Sequence, residues 1–505
     1  MDPNPVVISA PGLPRRATRQ EADSMGKVTV PADALWGAST QRAVCNFPIS
    51  GRPMPAAFIR ALGLVKLAAA KANAELGRLA PGKSRLIQQA AREIANGSHG
   101  AQFPVDVFQT GSGTSTNTNA NEVIAHLAAQ MAEGAEGDAA PVHPNDEVNL
   151  GQSSNDVIPT ALHVSVALSL HRELAPALKT LATALEAKAA EFGGIVKLGR
   201  THLMDATPLT LGQEFSGYAR QVRKAADRVQ RAILALGELA IGGTAVGTGL
   251  NTHRDFAGLV CRILSQETGL SFQEARNHFE AQAARDDCVE VAGVLVAVAA
   301  SLTKIANDIR LLGSGPRAGL GELRLPAVQP GSSIMPGKTN PVMSEMMIQV
   351  GLYAQGLAHT VMACGREGQL ELNATLPLIA HCLHEAIQCL ANGARVFADS
   401  CVAGLEADAG RCRHFTEQSL MLITALTPLI GYDVAASVAH EALATGKSLR
   451  DVVLKRKLLD AAALDRALEP FAMTGLPAEK HPTPAEQVME NEGGHTVDAG
   501  SNGQG

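Results

Sequence analysis

Long helical patterns dominate the middle of this chain and constrain its fold more than any other feature. Apolar residues recur with helical spacing over five segments, at about Pro159–Glu191, Thr210–Glu238, Asp287–Leu312, Val342–Met362 and Leu376–Ser400. Several exceed the common helix length, and their apolar faces are broader than one stripe. Such helices must pack on one another, so the sequence predicts an all-α fold with a central long-helix bundle and apolar faces left for partner subunits.

The composition agrees with helices rather than sheets. Hydrophobic residues make up 46% of the 505 residues, but aromatic residues only 3%, with a single tryptophan at Trp36. Alanine and leucine must therefore fill the core, which suits closely packed helices. A chain of this length predicts two to four domains.

Changes in composition and in helical periodicity along the chain divide it into five parts. Helices are expected at about Pro55–Leu79 and Ser84–Asn96, and another beginning near Asn117. The ends are rich in proline, glycine and charged residues and are expected to be disordered. The predicted parts are a disordered tail (1–20), an N-terminal helical domain (21–150), the long-helix domain (151–405), a small C-terminal helical domain (406–474) and a disordered tail (475–505).

Charge and cysteine usage exclude several classes of protein. The net charge is −6, which gives no sign of binding to nucleic acid or to an anionic membrane. The eight cysteines are scattered singly without a C-x-x-C pair, so we interpret them as reduced core residues of a cytoplasmic protein. No spacing of ligand-type residues predicts a metal site.

One apolar run, Val291–Leu302, could be mistaken for a membrane span. It has the length of a core helix segment, which is too short to cross a bilayer, and Asp286, Asp287 and Glu290 precede it. The first twenty residues lack the continuous apolar stretch of a secretory signal. We therefore expect a soluble protein.

Four polar segments interrupt the helical sequence, and each mixes small residues with neutral hydrogen-bonding residues. They are Gly111–Asn121, His143–Asp156, Gly199–Thr207 and Gly331–Asn340. Four such segments in so helical a chain predict loops that form a shared polar cavity at the bundle ends, assembled by folding from one subunit or several. Glu122, just beyond the first segment, is expected to be a structural hydrogen-bonding residue.

The last polar segment carries the strongest chemical signal. Its glycines and prolines predict an exposed, non-helical loop, because glycine permits positive φ and proline removes a backbone donor. Three hydroxyls, Lys338 and the amide of Asn340 fall within nine residues of one another. This set is suited to holding a carboxylate while a serine takes a proton. Alternatively, Ser332 only caps the following turn.

The string Gly331-Ser-Ser-Ile-Met-Pro-Gly-Lys-Thr-Asn340 is similar to the signature of the aspartase/fumarase superfamily of lyases. The resemblance covers nearly all of residues 20–473 and includes Met25-Gly-Lys, Trp36-Gly-Ala, Gly199-Arg-Thr-His202 and Gly431-Tyr-Asp. It implies a three-domain, all-α fold whose long helices assemble into a multi-helix core in a homotetramer, with each active site completed by three subunits. Ser332 and Lys338 would then come from a different chain than His202.

Three local choices make the chain resemble class II fumarases, the metal-independent enzymes that interconvert fumarate and L-malate. The chain has Gly111-Ser-Gly-Thr114 where aspartases typically have Gly-Ala-Gly-Thr, and His143-Pro-Asn-Asp where they tend to have Asn-Pro-Asn-Asp. It has Arg200-Thr-His202 where they carry Thr-Gln. An ammonia-lyase, a lyase of a larger succinyl compound and an inactive helical scaffold are the alternatives. Thr339, where fumarases usually have valine, and the charged Arg366-Glu367 pair depart from the fumarase pattern.

The resemblance assigns roles to individual residues. Ser332 is the proton acceptor, and Lys338 stabilises the doubly charged aci-carboxylate that forms. Substrate binding falls to the following residues: Ser112, Thr114, Ser153, Ser154, Asn155, Thr201, Ser333, Lys338 and Asn340. No metal and no organic cofactor are implied.

His202 is expected on the opposite face of the substrate, either as the acid for the departing hydroxyl or as the holder of an ordered water. Glu345 is its expected orienting partner, since a carboxylate bonded to imidazole fixes the tautomer and stabilises the cation. His143, Asn145 and Asp146 match a second, non-catalytic dicarboxylate site of the family. The same Pro-Asn-Asp string is also an ordinary turn and cap, so both interpretations of it stay open.

Overall fold

A computed structural model describes residues 17–132 and 142–477. Helices dominate it, as predicted, and the strands are short. The helices are α1 (Ala38–Asn46), α2 (Ala56–Glu75), α3 (Pro81–Ala95), α4 (Thr114–Ala132), α5 (Ser154–Ser169), α6 (Ala175–Glu191), α7 (Leu211–Ala235), α8 (Phe256–Thr268), α9 (His278–Ala283), α10 (Asp286–Leu312), α11 (Val342–Gly365), α12 (Leu376–Ser400), α13 (Ala409–Gln418), α14 (Thr427–Ile430), α15 (Tyr432–Thr445), α16 (Leu449–Lys455) and α17 (Ala461–Ala467).

Within residues 17–132 and 142–477, the strands form five two-stranded ribbons. They are β1 (Thr18–Asp23), β2 (Gly26–Pro31), β3 (Val196–Thr201), β4 (Met204–Thr210), β5 (Glu238–Leu239), β6 (Gln273–Glu274), β7 (Leu323–Arg324), β8 (Gly368–Gln369), β9 (Leu372–Asn373) and β10 (Glu406–Ala407). The pair β5–β6 is parallel, and the pairs β1–β2, β3–β4, β7–β10 and β8–β9 are antiparallel. Strand β1 begins at Thr18, so the prediction of a disordered tail over 1–20 is wrong for its last residues, which pair with β2. Residues 1–16 and 478–505 of the predicted tails lie outside the described residues.

The described residues fall into two compact units, each assembled from three separate stretches of chain. The first comprises the described residues up to Pro176, with Ala225–Ala300 and Val350–Asn392, and the second comprises Ala177–Lys224, Ser301–Gln349 and the described residues from Gly393 onward. The divisions fall inside long helices, whereas the sequence predicted consecutive domains. That division into consecutive domains stays a prediction.

In the first unit, α2 packs against α3, α5 and α8. Phe58, Leu62 and Val65 of α2 are fully buried. This face of α2 alternates large apolar residues with alanines, which lets the neighbouring helices approach closely. The helix α4 reaches back to α1: the Glu122 carboxylate accepts hydrogen bonds from the backbone N–H groups of Gly37 (2.9 Å), Ser39 (3.1 Å) and Thr40 (3.2 Å). The predicted structural role of Glu122 is confirmed, because it satisfies donors at the start of α1.

In the second unit, the β3–β4 hairpin packs against α13 and against the short helical turn Phe471–Thr474. The C-terminal helices have an apolar core of their own, in which Leu426, Val438 and Val452 are fully buried. This core lies within the segment predicted as a small C-terminal domain.

The helix α10 is long and apolar enough to cross a membrane by length and composition alone. Val291, Leu295, Val298 and Leu302 on this helix are fully buried by the protein itself. The buried face of α10 is therefore part of the protein core.

All eight cysteines are free thiols. Six are buried, as predicted, but Cys45 is exposed and Cys389 is half-buried, so the expectation that every cysteine is a core residue is wrong for these two.

Candidate functional site

The first polar segment forms the start of α4. Gly113 has a φ of +74° and donates a hydrogen bond to the Thr110 carbonyl at 2.7 Å, which turns the chain into the helix. A Cβ at Gly111 would overlap the carbonyl of Ala374, so only glycine fits this close approach. The helix therefore begins at Thr114, three residues earlier than predicted. The hydroxyl oxygens of Ser112 and Thr114 lie 2.8 Å apart at this N-terminus.

The second polar segment ends at the start of α5. The Ser153 Oγ accepts from the Asn155 N–H at 3.2 Å, and the Asp156 carboxylate accepts from the Ser153 N–H at 2.9 Å, which together form a capping box. The sequence predicted that this helix begins at about Pro159. Because of the cap, α5 begins earlier, at Ser154, and Pro159 lies within it. The Asn155 side chain donates to the Ala245 carbonyl at 2.8 Å. Hydrogen bonds within the protein therefore already occupy one lone pair of the Ser153 oxygen and one N–H of the Asn155 amide.

A buried asparagine joins the two helix N-termini. The Asn117 Nδ2 of α4 donates to the Ser154 Oγ at 3.1 Å and to the Asn149 Oδ1 at 3.2 Å. Within the first unit, the helix that begins at the predicted residue Thr114 is therefore joined to the predicted residue Ser154, at the start of α5. Helix N-termini expose unpaired N–H groups and the positive end of the dipole, so this arrangement favours a carboxylate.

Lys66 and Asp156 form a buried charged pair near these N-termini, and the sequence predicted no role for either residue. Lys66 of α2 is fully buried, and its Nζ donates to the Asn149 Oδ1 at 2.9 Å and to the Gln152 Oε1 at 3.0 Å. Burial lowers the pKa of Lys66 to about 7 and raises the pKa of the buried Asp156 to about 6, while the attraction between the two charges opposes both shifts. The one sequence feature that indicates this buried lysine is its apolar position in an alanine-rich helix.

The loop of the last polar segment closes on itself in the second unit. The Gly331 N–H donates to the Lys338 carbonyl at 2.8 Å, and the Asn340 Nδ2 donates to the Gly331 carbonyl at 2.7 Å. The loop is non-helical, as predicted, and Ser333 and Lys338 are exposed on it. One donor of the predicted binding residue Asn340 is therefore occupied by the loop itself.

Ser332 is held by backbone donors within this loop. Its Oγ accepts hydrogen bonds from the Ile334 N–H at 3.2 Å and from the Met335 N–H at 3.0 Å. Ser332 therefore does cap the following turn, which is the alternative role that the sequence left open. They also favour a negatively charged oxygen over a neutral hydroxyl, which is the requirement for a serine base.

The third polar segment is a β-hairpin, and its prediction as a loop is wrong. Strands β3 and β4 pair on either side of a two-residue turn, in which His202 and Leu203 have φ values of +56° and +62°. Positive φ at two non-glycine residues is strained, and such strain concentrates at functional sites. The loop prediction rested on the polar composition of this segment. The segment forms strands nevertheless, because its backbone groups pair across Val196–Thr210. Thr201 and His202 are exposed at the tip.

A buried ion cluster anchors strand β3 of this hairpin. The Arg200 guanidinium donates to both carboxylate oxygens of Glu322, at 3.0 and 2.9 Å. Glu322 is fully buried, and the Lys197 Nζ lies 3.5 Å from it and 3.2 Å from Glu214. The two-pronged contact fixes the strand that leads to Thr201 and His202.

Glu345 lies in the first turn of α11, where its N–H donates to the Pro341 carbonyl at 3.1 Å. Within residues 17–132 and 142–477 of a single chain, no hydrogen bond joins Glu345 to His202. The predicted orienting contact is therefore not formed inside one chain.

The residues of the predicted second dicarboxylate site form a local turn. The His143 Nδ1 accepts from the N–H groups of Asn145 (3.3 Å) and Asp146 (3.1 Å) and caps the π-helical turn Pro144–Val148. The Asp146 carboxylate also lies 3.2 Å from the same nitrogen. The turn-and-cap role is thus present, and ligand binding here stays a prediction.

Comparison with known proteins places this geometry in a family. A model of the lyase family matches residues 26–356, and a model of the fumarase C C-terminus matches residues 422–475. The chain is 52% identical over 461 residues to the class II fumarate hydratase of Corynebacterium efficiens, covering 90% of this chain and 96% of that protein. The chain belongs to the class II fumarase family.

A second relative and a solved structure agree with this membership. The class II fumarate hydratase of Mycobacterium tuberculosis is 52% identical over 460 residues, covering 90% of this chain and 96% of that protein. The crystal structure of class II fumarase from Schistosoma mansoni matches with a TM-score of 0.88 at 39% identity, covering 91% of this chain and 99% of that one. The all-α class II fumarase fold is therefore that of this protein, as the sequence resemblance implied.

Proposed function

We propose that this protein is a fumarate hydratase, a hydro-lyase that interconverts fumarate and L-malate. The observation that best supports the chemistry is the state of Ser332, whose oxygen accepts two backbone N–H bonds in a loop that also carries the exposed Lys338. A free serine is too weak an acid to serve as a base. Backbone donors and a nearby ammonium favour its alkoxide.

In the direction from malate, the Ser332 alkoxide takes a proton from the carbon next to one carboxylate. The electron pair moves into that carboxylate and gives the doubly charged aci form. Fixed donors aimed at this growing charge supply the stabilisation, and Lys338 adds a full positive charge. The N-termini of α4 and α5, with Ser112, Thr114 and Ser154, hold a carboxylate through neutral donors, which lets the product leave.

The departing hydroxyl then needs a proton. We assign its departure to His202, either as the acid itself or through a water that it holds. Its place at a strained, exposed turn anchored by Arg200 supports a functional role. Glu345, which has no bond to His202 within the described part of one chain, would orient it from another subunit.

We further propose a homotetramer in which three subunits complete each active site. Large apolar side chains stay exposed on the long helices, including Leu234 of α7 (73% exposed) and Leu352 of α11 (61%). Such residues are suited to burial against a partner subunit. In this assembly Ser332 and Lys338 act with a His202 from a different chain. Cytoplasmic location and a role in the tricarboxylic acid cycle accord with this family assignment.

The alternatives are separable by one assay. Fumarate absorbs in the ultraviolet, so its formation is followed after adding L-malate or L-aspartate to the purified full-length protein. Signal with malate alone is expected. Signal with aspartate would indicate an ammonia-lyase. No signal with either would leave the inactive scaffold or a lyase of a larger compound.

A further inference from the structure

The fully buried ammonium of Lys66 makes unusual contacts. Both of its hydrogen-bond acceptors are neutral amide oxygens, Asn149 Oδ1 at 2.9 Å and Gln152 Oε1 at 3.0 Å. The attraction of the buried Asp156 carboxylate offsets part of the cost of burying this cation, although an apolar residue would fill the same space without that cost. The hydrogen bonds that Lys66 imposes on its neighbours give a reason for its presence.

Lys66 dictates the orientation of the Asn149 amide. The Lys66 Nζ donates to Asn149 at 2.9 Å, so the Asn149 atom that faces it is the oxygen. The same oxygen receives a hydrogen bond from the Asn117 Nδ2 at 3.2 Å. The Asn149 Nδ2 in turn donates to the Gln152 carbonyl at 3.2 Å, which agrees with this orientation.

The orientation of Asn149 then determines that of Asn117. Facing an oxygen, Asn117 must present its NH₂ group, and the second hydrogen of that group points at the Ser154 Oγ, 3.1 Å away. Ser154 therefore accepts from Asn117, and its single hydroxyl hydrogen is left to donate elsewhere. Asn117 is buried at 2% exposure, so water does not compete for these contacts.

We propose that Lys66 is a positioning residue that, through Asn149 and Asn117, aims the hydroxyl hydrogen of Ser154 at the substrate carboxylate. This inference rests on the proposed function, in which Ser154 binds a carboxylate of the diacid. Without the ammonium, only the bond from the Asn149 Nδ2 to the Gln152 carbonyl favours the present orientation, and both amides can turn over by half a turn. Asn117 then presents its oxygen to Ser154, whose hydroxyl donates back into the protein and is lost to the ligand.

The expected consequence is weaker binding with little change in chemistry. Replacing Lys66 by methionine removes the donor but keeps the length of the side chain. One neutral hydrogen bond to the ligand corresponds to a change of about tenfold in affinity. We expect Lys66→Met to raise the KM for L-malate and the Kd for succinate about tenfold, with kcat changed by less than about threefold. Lys71→Met removes the same charge from the same helix outside this chain of bonds and is the matched control.

A double-mutant cycle with Ser154→Ala separates this role from a structural one. If Lys66 acts through Ser154, Lys66→Met has no further effect on KM or Kd once Ser154 is alanine. Independent, multiplying effects of the two substitutions would overturn the inference. If Lys66→Met does not fold, as judged by circular dichroism and sedimentation, Asn149→Ala takes its place in the cycle with the same expectation.

Succinate binding, measured by calorimetry, keeps the two proposals distinguishable. Wild-type protein that binds succinate but forms no fumarate from malate would contradict the proposed function and leave the cycle intact as a test of Lys66. Turnover with multiplying effects in the cycle would contradict the role of Lys66 alone.

Discussion

The Ser332 hydroxyl oxygen accepts a hydrogen bond from the Met335 N–H at 3.0 Å, across a turn of the Gly331–Asn340 loop. A second bond from the Ile334 N–H, at 3.2 Å, reaches the same oxygen. Two donors on one hydroxyl stabilise its anionic form, because each bond strengthens as the oxygen gains charge. This environment is the one that the proposed role of Ser332 as a base requires.

Lys338 should matter for the rate more than for folding. It is exposed on the loop, and the described part of the chain provides no ion-pair partner for it. We expect Lys338→Met to lower kcat about 10²–10³-fold, because it removes charge that stabilises the aci-carboxylate. Steady-state kinetics with L-malate give the measurement, and unfolding in denaturant serves as the control. A kcat within threefold of wild type would contradict the assignment.

The role of His202 is tested without disturbing its strained turn. Asparagine adopts positive φ more readily than most residues, so His202→Asn keeps the backbone while removing the imidazole. We expect kcat to fall at least about 10²-fold with a smaller change in KM, since general acid catalysis contributes on that scale. Leu203→Asn in the same turn is the matched control and should retain wild-type kcat. An unchanged rate at saturating malate for His202→Asn would remove the imidazole from the mechanism.

The Glu322–Arg200 pair that anchors the hairpin should contribute more to stability than the surface pair of Glu186 and Arg223. Glu322 is fully buried beneath Arg200 and Lys197, whereas Glu186 pairs with Arg223 at the surface. Glu322→Gln leaves buried cations without their carboxylate and should destabilise the protein by about 3–5 kcal/mol. Glu186→Gln should cost less than about 1 kcal/mol. Urea unfolding of both variants, at equal protein concentration, compares them. Equal losses of stability would show that Glu322 is not an anchor.

Acid sensitivity should arise partly from His384. Burial lowers its pKa to about 4, and its ring bonds to the hydroxyls of Ser165 (2.9 Å) and Ser169 (3.3 Å). Above the unfolded pKa of about 6.5 the ring is neutral in both states, and its contribution to stability is fully present. Between about pH 6.5 and pH 4 only the unfolded chain takes up the proton, so the free energy of unfolding falls by up to about 1.4 kcal/mol per pH unit.

Replacing His384 by glutamine removes this titration while keeping polar atoms for the two serines. We expect the fall in unfolding free energy between pH 7 and pH 5 to be smaller in His384→Gln than in wild type, with measurement by urea unfolding at each pH. Burial also lowers the pKa of His163, to about 3, so part of the acid sensitivity remains. Identical pH slopes for the two proteins would contradict a neutral, buried His384.

Much of the helical architecture is predictable from local pattern. The helix predicted at Leu376–Ser400 has those bounds, and the one predicted at Asp287–Leu312 begins one residue earlier. Both contain long apolar periodicity, which is the most reliable signal of a helix. The Gly331–Asn340 loop was equally predictable, since its glycines and prolines exclude regular structure.

Features that depend on distant partners were not predictable. The acceptors of Lys66, Asn149 and Gln152, lie 83 and 86 residues further along the chain. The β3–β4 hairpin has a turn of two non-glycine residues, His202 and Leu203, where turn chemistry favours glycine or asparagine. Its pairing is stabilised by Glu322, 122 residues from Arg200, and no local pattern announces such contacts.

A single substitution decides whether Ser332 is the base. Ser332→Ala removes the oxygen, and Thr339→Val removes another hydroxyl from the same exposed loop as a matched control. The measurement is kcat for fumarate formation from L-malate by the two purified, assembled variants. We expect Ser332→Ala to lose nearly all turnover while its assembly stays intact, and Thr339→Val to remain close to wild type. A near-normal kcat in Ser332→Ala would show that Ser332 is not the base.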